Sequence, residues 1–63
     1  MSTETIQRLE GGQVSVALRG GHRLDDCQLI SGPRGRTATL WLFDGGTDIF
    51  IPSADVLDLW EAN

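Results

Sequence analysis

The sequence predicts a mainly β chain: a small five-stranded barrel with a short N-terminal helix and a 3₁₀ turn before the last strand. Three observations carry that expectation. Val14, Val16 and Leu18 alternate with Ser15, Ala17 and Arg19, the period-two pattern of a half-buried strand. The apolar run TLWLFDGGTDIFI is split by Gly45-Gly46, which marks a tight hairpin. After His22 the apolar phase shifts, from even Leu24 to odd Cys27 and Leu29. A β-bulge near Asp25-Asp26 absorbs such a shift and bends the strand, as a small barrel requires at its corner.

In chain order, Ser2 or Thr3 is positioned to cap a helix running through Glu10, with Ile6 and Leu9 on one face and Gly11-Gly12 ending it. So short a helix has no stability of its own, so Ile6 and Leu9 must rest on the remainder of the fold. The strand from Val14 passes through a two-residue turn at Gly20-Gly21, and the next strand begins at His22. SGPRGR (Ser31–Arg36) reads as a loop with a locally basic tip. In the following hairpin, a Gly45-Gly46 turn pairs Leu42 with Ile49, Leu40 with Ile51 and Trp41 with Phe50. Moving the turn to Asp44-Gly45 pairs Leu42 with Thr47 and Trp41 with Asp48, and the register that matches like with like is favoured. Pro52-Ser53-Ala54-Asp55 suits a 3₁₀ turn. Val56–Trp60 forms the last strand, and residues 61–63 form a polar tail. The whole chain, 1–63, is one domain: helix and cap over 1–12, barrel over 13–60.

Composition narrows the function. A chain of 63 residues buries only about 60% of its unfolded surface and is marginal alone. The single Cys27 excludes an internal disulfide, so association with further copies is the expected source of stability. A net charge of −4, with five Arg, no Lys and nine acidic residues, disfavours RNA as a partner. No apolar run is long enough for a membrane span, and MSTETIQRLEGG lacks the basic and apolar regions of a signal peptide. A cytoplasmic location is therefore expected.

The order of elements describes a small SH3-like barrel, and the chain resembles the Sm-like family. The resemblance lies in IQRLEGG leading into VSVALRGG, in the bent strand HRLDDCQLI with the turn glycine Gly21, and in the closing DIFIPSADVLDLW. It spans Thr5 to Trp60 and implies the fold and assembly through strand edges. It carries over no RNA site. Family members that bind RNA typically have an Asp and an Asn in the loop joining the second strand pair, where this chain has SGPRGR leading to TATLW. Their Arg/Lys-Gly signature before the last strand is replaced by Pro52–Asp55.

No enzyme, metal or cofactor is expected. His22, Asp25, Asp26 and Cys27 are the densest group of reactive side chains, but their spacing matches no standard zinc pattern. On an alternating strand 25 and 27 share one face while 22 and 26 share the other, so the set does not converge. The aromatic set is more telling. Trp41, Phe43 and Phe50 alternate with Leu40, Leu42, Ile49 and Ile51, so both groups cannot face one interior. Together with Trp60 they form the expected interface with a protein partner or a second copy. Arg19, Arg23, Arg34 and Arg36 are the candidate contacts should the partner be a nucleic acid.

Overall fold

The computed structural model of this chain describes residues 3–33 and 38–62. It contains a helix α1 (Thr3–Leu9) and strands β1 (Gln13–Leu18), β2 (Arg23–Ser31), β3 (Thr39–Asp44), β4 (Thr47–Pro52) and β5 (Val56–Glu61). A 3₁₀ turn, Ser53–Asp55, joins β4 to β5. Ser2 as a helix cap and Arg34 and Arg36 as nucleic-acid contacts lie outside the described residues.

The strands form one antiparallel sheet in the order β4-β3-β2-β1-β5. The hairpin of β3 and β4 has the expected register, with Leu40↔Ile51, Trp41↔Phe50 and Leu42↔Ile49. Its turn places Gly45 at φ 57 and Gly46 at φ 93, backbone that a side chain would strain. The bulge of β2 is also in place. Between Val14↔Cys27 and Val16↔Leu24, Asp25 and Asp26 together face Ser15, and Asp26 adopts φ 55. A second bulge follows at Ile30, between Leu29↔Leu42 and Ser31↔Trp41. The doubled irregularity bends β2 so that it serves both halves of the sheet.

Three expectations change. The sheet is not closed into a barrel: β4 and β5 stand at opposite ends of the strand order, with no ladder between them. The 3₁₀ turn keeps the end of β4 and the start of β5 within about 14 Å, the reach of four extended steps. Pro52, which has no N–H to donate, is the last β4 residue paired to β3. The loop between β1 and β2 is also longer than two residues. Leu18 N–H donates to the His22 carbonyl at 2.8 Å, so Arg19, Gly20 and Gly21 form the turn, and β2 begins at Arg23 rather than His22. The helix, finally, ends at Leu9, with Glu10 in the turn that follows.

The concave side of the sheet holds the core. Val14, Val16, Cys27, Leu29, Leu40 and Leu42 are fully buried, joined by Ile51 and Leu59 from the edge strands and by Ile6 and Leu9 from α1. The α1–β1 link is tied to β2: Gly11 N–H donates to the Leu29 carbonyl at 2.7 Å, and Leu29 N–H to the Gly12 carbonyl at 2.9 Å. The helix is thereby seated on the core it covers.

Candidate functional site

Alternation along the strands sends one set of side chains outward, and that set holds most of the large apolar residues outside the core. Phe50 and Leu57 are 62% and 61% exposed, while Trp41, Phe43 and Trp60 lie between 36% and 38%. All four aromatic residues expected at an interface are therefore at the surface. They do not form one patch. Trp41 and Phe50 stack with ring centroids 5.6 Å apart, and Phe43 follows two residues along β3 on the same face. Trp60 stands on β5, at the other end of the strand order.

Each aromatic group is held by charge. The Trp41 indole Nε1–H donates to Asp48 Oδ1 at 3.0 Å, which fixes the ring against Phe50. The Arg23 guanidinium lies over the Trp60 ring, 5.2 Å from its centroid, and its Nε donates to Asp25 Oδ1 at 2.6 Å. Cation–π attraction and the exposed ion pair are each worth about 0.5–1 kcal/mol, so together they orient more than they stabilise.

Arg19 is a clasp. Its backbone N–H donates to the Asp55 carbonyl at 2.8 Å and its Nη2 to the Ala54 carbonyl at 2.8 Å. Its Nε lies 3.7 Å from Asp55 Oδ1. The β1–β2 turn is thus fastened to the 3₁₀ turn. Of the four arginines considered for nucleic acid, the two described are each already bound to a carboxylate of their own chain.

The reactive group of β2 disperses, by a route that strict alternation misplaces. The bulge at Asp26 resets the phase, so Asp25 faces outward with Arg23 while Cys27 is buried, and the two do not share a face. His22 and Asp26 are exposed. Burial pushes the Cys27 thiol up, and the negative charges of Asp44, Asp26 and Asp25 push it further. A thiol held protonated is a poor nucleophile. Among the described residues no three His, Cys, Asp or Glu side chains come together as a metal site would require. A groove of about 400 Å³ between the end of α1 and the ends of β1 and β5 is lined by Arg8, Glu10, Gln13 and Glu61. It is open and mixed in charge.

The chain matches no protein-family model, no curated protein and no solved structure. Function must therefore be argued from the site.

Leu57 is the surface residue the sequence pattern missed. Between Ala17↔Asp58 and Leu18↔Val56 it is the extra residue of a bulge in β5, and it is turned out to solvent. In VLDLW, Leu57 shares parity with Leu59, so alternation assigns both to the core. The Trp41–Asp48 bond was also hidden. The favoured register sets Asp48 opposite Phe43, and only the diagonal reach of an indole brings it to Trp41.

Proposed function

We propose that this chain is a non-catalytic interaction module of the small SH3-like, Sm-like class, which assembles with copies of itself through its two sheet edges. The open strand order carries the reading: among the described residues, β4 and β5 each end the sheet without a partner strand. An unpaired strand is a template for another chain. These edges also bear the most exposed large apolar residues, Phe50 on β4 and Leu57 on β5. The two edges differ in sequence, so a β4-to-β5 contact is head-to-tail and generates a ring or an open array. The small size of the domain supports the same reading, because association supplies burial that a chain of 63 residues lacks. Of the four arginines on which a role in RNA binding would rest, Arg19 and Arg23 are engaged within the chain and Arg34 and Arg36 lie outside the described residues; no observation favours that role.

Light scattering on the eluting protein tests the proposal. The expected mass is a multiple of 6.9 kDa. Phe50→Ala or Leu57→Asp should lower it. A monomer at about 100 μM, a concentration that would populate any micromolar complex, would refute self-assembly; so would two folded variants with the mass of the parent.

A further inference from the structure

We infer that the outer patch formed by Trp41, Phe50 and Asp48 binds an arginine side chain presented by a basic segment of a partner protein. The apolar part of the site is built in advance: Trp41 and Phe50 stack at 5.6 Å, and Phe50 remains 62% exposed. The polar part is fixed to it, because Asp48 Oδ1 accepts the Trp41 Nε1–H at 3.0 Å. Among the described residues no cation pairs with Asp48. Asp44, two residues beyond Leu42 on β3, belongs to the opposite face of the hairpin, so Asp48 is the carboxylate that the patch presents.

The other end of the sheet shows this chemistry satisfied within the chain. There an aromatic ring and a carboxylate, Trp60 and Asp25, hold the guanidinium of Arg23 at 5.2 Å and 2.6 Å. Trp41, Phe50 and Asp48 present the same two elements, a ring face and a carboxylate, to whatever approaches from outside.

Charge selects the occupant. The Asp48 carboxylate beside the rings repels phosphate and favours a cation, in keeping with the net charge of −4. Geometry then favours arginine over lysine. A planar guanidinium stacks on a ring while its N–H groups reach a carboxylate, whereas an ammonium is a compact, strongly hydrated point charge. The side chains concerned rise from the sheet face, while strand pairing uses the backbone in the sheet plane. Strand pairing thus leaves Trp41 and Asp48 accessible; Phe50 also flanks the β4 edge, so Asp48→Asn, which spares the apolar edge, separates this inference from self-association.

The test is fluorescence polarisation at low salt, with a labelled peptide of arginine alternating with glycine and serine and its lysine counterpart. The arginine peptide should bind several-fold more tightly. Asp48→Asn should weaken it by about tenfold or more, the loss expected for a hydrogen bond between charged groups. Phe50→Ala should weaken it as well. Glu4→Gln, an equal change of charge at an exposed helix position, should leave it unchanged. Equal affinity for both peptides would overturn the inference, as would equal effects of Glu4→Gln and Asp48→Asn, which would indicate net charge alone. No binding at about 1 mM peptide, or tighter binding of single-stranded RNA at the same residues, would overturn it too.

Discussion

Gly32 illustrates how one residue decides a packing arrangement. It is buried beneath α1, and a Cβ added there would collide with Ile6 Cγ2 and come within 3.8 Å of Glu10 Oε2. Its N–H donates to that same Glu10 oxygen at 2.7 Å. A methyl group therefore strikes the branched, stiff side chain that anchors the helix while sitting beside the hydrogen bond that locks it. Gly32→Ala should destabilise the fold by about 1–3 kcal/mol, the usual cost of overpacking. The urea midpoint measures this, and an unchanged midpoint would show that α1 is not seated as described. In the sequence Gly32 reads only as loop punctuation in SGPRGR. The residue it contacts most closely is 26 positions away, a relationship no local pattern encodes.

The edge strands carry the argument at the scale of elements. On β5, the Leu59 N–H is taken by the Asp58 carboxylate at 2.8 Å. A side chain that occupies a backbone donor and adds negative charge limits indiscriminate pairing along that strand. Asp58→Ala should free the donor and shift the self-association midpoint to lower protein concentration. Sedimentation velocity across a dilution series reads this directly, and a midpoint that rises or stays fixed would count against β5 as an assembling edge. How far elements were legible depended on the kind of signal. The β3–β4 register was readable because three apolar pairs match across one glycine turn, and the first β2 bulge because it reverses the apolar phase. The bulges at Ile30 and Leu57 were not readable. Each extra residue is itself apolar, so the hydrophobic pattern runs through without a visible break.

For the whole molecule, the question is whether a single copy buries enough. Among the described residues ten apolar side chains form the core, and three of those, Leu29, Leu40 and Leu42, are the largest fully enclosed. Trimming one of them costs about 2–5 kcal/mol, a large share of the stability of a small domain. Binding that favours the folded state adds to that margin by mass action. The melting temperature should therefore rise with protein concentration, by a few degrees over a hundredfold range. Calorimetry at several concentrations checks this, and a concentration-independent transition would mean that the monomer supplies the stability unaided.

The amino-acid sequence by itself determined the elements of this protein and the two faces of its hairpin. These follow from periodicity, turn glycines and phase, all of which act between neighbours. Only the tertiary structure decided that the sheet stays open, that Arg19 clasps the 3₁₀ turn, and that Arg23 is spent on Trp60 and Asp25. An edge is free or paired according to strand order, and a long arginine reaches whatever the folded chain places within its radius. Both depend on contacts between distant segments, so Arg19 and Arg23, which looked available in the sequence, are engaged within the fold.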